Sequence, residues 1–177
     1  ARRIASLGPR PAAGAAERRA HRFVARSFRR SGLRVAVQRF PVPGKGTSRN
    51  VIGVLEGADP ARRGEWVIVG AHYDHLGLGG VGSLTPGEQA IHNGADDNAS
   101  GVAAMLTAAQ ALAGGERPAR SLAFVAFTGE ESGLLGSAVY ASELPGPVSA
   151  MINLDMVGRL GDGPLIVYGV DTAEEWK

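Results

Sequence analysis

The chain contains no cysteine. Disulfides and thiolate metal sites are therefore excluded, and any zinc site has to be built from histidine and carboxylate. No apolar run approaches the ~18 residues that a membrane span requires, and no signal peptide is visible. The chain opens at Ala1 without an initiator methionine, so either a leader is removed or the chain is cut from a longer one. Aromatic residues make up 6% and do not interleave with the basic ones, which are almost all arginine and crowd between Arg2 and Arg63. Such a pattern fits a solvated face and argues against a nucleic-acid or membrane partner. Bases and acids nearly cancel, 19 against 17, for a formal charge of +2. The 177 residues, 44% of them hydrophobic, suffice for one domain with a sizeable core.

Residues 1–14, with Gly8, Pro9, Pro11 and Gly14, are expected to run as an irregular entry segment. From Ala15 to Arg30 apolar positions recur at spacings of three and four, which predicts an amphipathic helix stopped at Ser31-Gly32. His21 lies on it and receives no role. Alternation from Leu33 predicts a strand ending before Pro41, then a loop over 44–48, then a strand from Asn50 to Leu55. The β-branched run from Trp66 to Val69 reads as a buried strand that delivers His72 at its end. A glycine-rich loop over 76–94 follows, long enough to suggest the rim of a substrate cleft. Asp97 or Asn98 can cap a helix over about 100–113, with Val102, Met105, Leu106, Ala109, Leu112 and Ala113 as its inner stripe.

Arg120 to Thr128 is the clearest strand, and Gly129, Glu130 and Glu131 stand at its end. A helix from Leu134 to about Glu143 leads to a buried strand over Val148–Leu154, which ends at Asp155. Pro164–Val170 predicts one more strand, and Asp171–Lys177 the first turns of a helix. Alternating strands and helices imply right-handed crossovers and a central mixed, mostly parallel sheet in a three-layer α/β/α domain. The carboxyl ends of parallel strands share one edge, so His72, Glu130, Glu131 and Asp155 converge there, with Asp96 and Asp97 on the same edge. Asp74 can reach the far ring nitrogen of His72 and set its tautomer. Several carboxylates gathered near an imidazole repel unless a cation joins them, so a metal site is the economical explanation.

AHYDH at 71–75, GADDNASG at 94–101, GEESGLLGS at 129–137 and NLDM at 153–156, in that order, resemble the M28 family of co-catalytic di-zinc aminopeptidases. The likeness runs from about Ala15 to the end. It implies a zinc-exopeptidase-like fold, incomplete at the C-terminus, and two Zn2+ ions. His72 and Asp155 are implied for one zinc, Glu131 for the other, and Asp96 as the bridge, followed by a cis peptide. Glu130 is implied as the general base for a zinc-activated water that removes N-terminal residues from peptides. A fifth ligand, a histidine, is expected beyond Lys177, since His21, His75 and His92 do not match its place. The chain is thus expected to be a fragment that binds the second zinc weakly and is itself inactive.

Two other classes stay open. One is a metal-poor homologue that keeps the fold as a binding module. The other is a related zinc carboxypeptidase or glutaminyl cyclase. The resemblance also suggests a secreted or periplasmic setting. Residue preference and oligomeric state are not legible.

Overall fold

Strand β4 (Ser121–Phe127) is buried along its whole length, and the other elements are arranged about it. Side chains alternate across a strand, so an unbroken apolar run needs cover on both faces. Leu122, Phe124 and Ala126 meet Val24 and Phe28 of helix α2 (Ala15–Arg30) and Val102 and Met105 of α3 (Ala99–Gly114). Ala123, Val125 and Phe127 face the opposite side, with Tyr140 of α4 (Leu135–Ser142) against the Phe127 ring. The result is a five-stranded mixed sheet between helical layers. This computed structural model describes residues 1–80, 82–159, 161 and 163–174.

In the sheet, β1 (Arg34–Val42), β2 (Gly46–Leu55), β3 (Trp66–His72) and β5 (Val148–Asn153) join β4 in the order β1-β2-β4-β3-β5. β3 runs parallel to both β4 and β5, whereas β1 and β2 are antiparallel additions. The carboxyl ends of β3, β4 and β5 therefore open on one edge.

Several local expectations are corrected. The entry segment holds a one-turn helix, α1 (Arg2–Ala5), because its prolines come later and Ile4 is buried in the main core. β1 continues through Pro41 to Val42, which an edge strand accommodates, and β2 begins at Gly46, leaving a tight turn at 43–45. Leu112 is exposed, beyond the reach of the sheet that covers Val102, Met105 and Ala109. β5 is not a buried strand: it lies at the sheet's edge, paired with β3, and Val148, Met151 and Ile152 are exposed. Residues 164–169 form no strand, and a 3-10 turn over Val170–Thr172 stands where that strand was to end and a helix to begin. Positions 175–177 of that predicted helix lie outside the described residues. Among the described residues, no helix is long and apolar enough to cross a membrane.

One polar knot ties the helical layer to the sheet beneath the carboxyl edge of the parallel strands. The fully buried Glu17 of α2 accepts hydrogen bonds at Oε1 from Ser48 Oγ and Tyr73 OH, each at 2.7 Å. Burial pushes its carboxyl above the ordinary range, against the opposing effect of those two donors. A carboxyl whose folded pKa is raised favours the fold while protonated. That contribution is complete below its unfolded pKa and is lost as pH rises through the folded value. Glu17→Gln removes the titration, so its stability relative to wild type should improve as pH is raised from 4 towards 8 in urea melts. A constant difference across that range would contradict the assignment.

Candidate metal centre

His72 is the last residue of β3, and its ring is 4% exposed. Its Nε2 lies 3.0 Å from Asp97 Oδ1, 3.5 Å from Asp155 Oδ1 and 4.0 Å from Glu130 Oε2. On the other side Nδ1 stands 3.6 Å from Oδ1 of the fully buried Asp74, the side where the sequence places that carboxylate. That gap is too long for a hydrogen bond, and both His72 Nδ1 and Asp74 Oδ2 are buried without a hydrogen-bond partner. A second group adjoins the first. His75 Nδ1 lies 2.7 Å from Glu131 Oε1 and 3.8 Å from Asp97 Oδ2.

The electrostatics follow from the crowding. Burial alone would lower the His72 pKa, but the carboxylates of Asp155, Asp74 and Asp97 overcome it and raise the value to about 12. Asp97 is lowered in turn, chiefly by its contact with His72. Glu130 moves the other way, raised by burial against the pull of His72. In effect a proton on His72 stands in for a cation among the acids. The donor set fits a zinc-like ion: ligands about 2.1 Å from zinc in a tetrahedron lie roughly 3.4 Å apart. The 3.0 and 3.5 Å separations at His72 Nε2 bracket that edge.

The two neighbouring aspartates are placed otherwise than expected. Asp97, not Asp96, turns one carboxylate oxygen towards each histidine. Asp96 points away: its Oδ1 accepts from Gly158 N at 2.8 Å and Ser100 Oγ at 3.1 Å, and Arg159 stands 3.8 Å from Oδ2. The cis peptide likewise falls at Asp97-Asn98, one residue later than expected. Adjacent side chains diverge, and no sequence pattern distinguishes which of two neighbouring aspartates faces the cleft.

The supporting roles of Arg10 and Gly101, and the link Asn98 makes to β5 beyond its cap, escaped the sequence. Arg10, fully buried, donates Nε to Tyr73 O at 3.1 Å and Nη2 to Gly94 O at 3.0 Å. Its Nη1 is shared among the carbonyls of Ile4, Gly8 and Asn93. It thereby clamps the segment carrying His72 to His75 against the loop carrying Asp97, and its own carbonyl accepts from His75 N at 3.0 Å. Asn98 caps α3 by accepting from Gly101 N, as expected, and joins this loop to the end of β5. Its Nδ2 donates to Leu154 O at 2.9 Å and its Oδ1 accepts from Met156 N at 3.2 Å, so both neighbours of Asp155 are held. Gly101 allows this approach, because a Cβ there would overlap the Leu154 carbonyl. Nothing local to Arg10 marks it as a clamp; its carbonyl partners lie up to 84 residues away.

A mixed sheet whose carboxyl edge gathers two imidazoles and five carboxylates defines a metal-binding α/β protein. The sequence profile of Peptidase family M28 matches residues 50–177, and the chain belongs to that family. It is 36% identical over 151 residues to the uncharacterized protein YfbL of Escherichia coli K12, covering 82% of this chain and 43% of that protein. Leupeptin-inactivating enzyme 1 of Streptomyces exfoliatus is 31% identical over 150 residues, covering 82% of this chain and 30% of the enzyme. The chain thus spans less than half the length of these relatives. Among solved structures, BSAP, a zinc aminopeptidase from Bacillus subtilis, shares the fold with a TM-score of 0.75 at 19% identity, covering 89% of this chain and 67% of that one. Porphyromonas gingivalis glutaminyl cyclase gives 0.74 at 27% identity, covering 89% and 58%.

Two variants separate the neighbouring aspartates. Asp97→Asn should abolish tight zinc binding in calorimetry, whereas Asp96→Asn, which disturbs only support, should weaken it by about 10–100-fold or less. The reverse order would return the bridge to Asp96. Arg10→Lys, which cannot reach the same set of carbonyls, should also weaken zinc binding by about 10–100-fold while circular dichroism keeps the helical signal.

Proposed function

We propose that the chain carries the catalytic edge of a zinc-dependent aminopeptidase, with His72, Asp97 and Asp155 holding a metal and Glu130 acting as general base. The observation that carries this reading is the division of labour between adjacent glutamates. Glu131 is drawn to His75 at 2.7 Å, while Glu130 stays 4.0 Å from His72 Nε2 with a third of its side chain exposed. One glutamate is thus committed to the metal-ligand cluster and the other left facing the cleft.

Burial raises the pKa of Glu130 from its ordinary value against the pull of His72, the direction that favours accepting a proton. When bound, the zinc supplies Lewis-acid activation of water and of the scissile carbonyl. Glu130 then takes the proton from the attacking water and delivers it to the departing amine, so one carboxyl serves both halves of the reaction. Asp74 assists from beneath: its Oδ1 accepts the Glu130 backbone N–H at 3.3 Å while facing His72 Nδ1. One buried carboxylate thereby sets the base and the metal-binding imidazole in a common frame.

A second reading is supported by the likeness to Porphyromonas gingivalis glutaminyl cyclase. In it the same edge would polarise the side-chain amide of an N-terminal glutamine for attack by its own α-amine, with Glu130 shuttling the proton. The two are separated by substrate. Aminoacyl p-nitroanilides should be cleaved and N-acetylated ones spared, and a glutaminyl peptide should not yield pyroglutamate. Glu130→Gln should lower kcat by about 10²–10⁴-fold with zinc content unchanged. If turnover stays within a few-fold of wild type, the base lies elsewhere.

A further inference from the structure

We propose that the outer face of α2 carries a binding site for a phosphate group, independent of the metal-dependent reading above. Arg19, Arg22, Phe23 and Arg26 recur at spacings of three and four, so they share one face of that helix. With Arg3 of α1 and Leu7 they line a recess of about 210 Å3. Four of its six lining residues therefore carry a guanidinium, and none is acidic. Two of the four are held in place. Arg3 Cζ lies over the Phe23 ring, 5.6 Å from its centroid, and Arg19 Nη2 donates to Leu7 O at 3.1 Å.

Like charges at these helical spacings repel, and the neighbouring side chains do not offset them. Among the described residues, none of Arg3, Arg19, Arg22 and Arg26 enters an ion pair. Glu17 is the one acid on α2, and it is buried with Ser48 and Tyr73 instead. A solvated arginine face would let its side chains spread into water. Here Arg3 arrives from a second helix, stacks on Phe23 and closes the row into a concave wall. The planar fork of arginine matches two oxygens of a phosphate, and several forks meeting at one recess suit that anion better than a point charge would. Convergence on one recess also suits a single compact group, whereas a polymer backbone is followed by a row of contacts. A second hollow of about 380 Å3 shares Arg3 and Phe23 as its wall and adds Ser27, Arg30, Thr107 and Gln110, again without an acid. It gives the organic part of a phosphate monoester a place beside the arginines.

The test is phosphate binding at constant ionic strength, because added salt screens charge by itself. The 177-residue chain is titrated in a calorimeter with inorganic phosphate and with glycerol phosphate, chloride making up the ionic strength, and its thermal midpoint is followed in parallel. Wild type should bind about one equivalent saturably, and its midpoint should rise with phosphate and not with matched chloride. Arg22→Gln and Arg26→Gln should each weaken binding by about tenfold or more. Arg117→Gln removes the same charge from the loop after α3, where Arg117 donates to Glu56 O, and should leave binding within about twofold. Tighter binding of glycerol phosphate supports the site with a monoester as its ligand, and equal binding supports it with free phosphate. Absence of saturable binding in wild type overturns the inference, as does equal weakening in Arg117→Gln, which marks a general field. Binding lost in Asp97→Asn and kept in both α2 variants places the anion at the carboxylate edge and overturns it too, while leaving the metal-dependent function standing. Binding to phosphatidylglycerol vesicles or an oligonucleotide without binding of inorganic phosphate replaces the small ligand by a macromolecule and likewise overturns it.

Discussion

The mutual repulsion of carboxylates is the constraint on which this molecule turns. Asp97 sits with one oxygen towards His72 and the other towards His75, and Asp74, Asp155, Glu130 and Glu131 close around them. No apolar contact explains such a gathering, and a fold that tolerates it must hold its acids rigidly enough that they cannot swing apart. The rigid parts are evident. The parallel trio β5-β3-β4 sets three strand ends side by side, and the fully buried β4 fixes their spacing through cover on both faces.

Rigidity alone would not bring the 94–98 loop into the site, since it belongs to no strand. Two polar residues do that by satisfying backbone groups that would otherwise be buried and unpaired. Arg10 reaches from the N-terminal segment to carbonyls on both the His72–His75 side and the Asp97 side. Asn98 pairs with the backbone on either side of Asp155. Glu17 adds a third tie, through Tyr73, between His72 and Asp74. The clustered histidines and carboxylates are thereby tied to packing far from them, and the N-terminal segment becomes part of the site's frame.

Much of the frame was legible in the sequence because it rests on periodicity. The helix over 15–30, the buried strands at 66–72 and 121–127 and the helix after Asn98 follow from spacing, capping and unbroken apolar runs. Legibility failed where a neighbour mattered more than the local pattern. Val148–Asn153 has the composition of a buried strand, yet at the sheet's edge it stays exposed. Residues 164–169 have strand-forming composition but find no pairing partner among the described residues.

The site divides in the same way. His72, Glu130, Glu131 and Asp155 could be read from the sequence because each stands at or just beyond the end of an apolar run, and parallel strands put such ends together. The choice of Asp97 over Asp96 depends on which side chain the turned backbone aims at the cleft. The place of His75 beside Glu131 depends on how the chain leaves β3, and the role of Arg10 on carbonyls remote in sequence. Periodicity carries the order of strands and helices; side-chain direction at loops and long-range hydrogen bonds exist only once the chain has closed on itself.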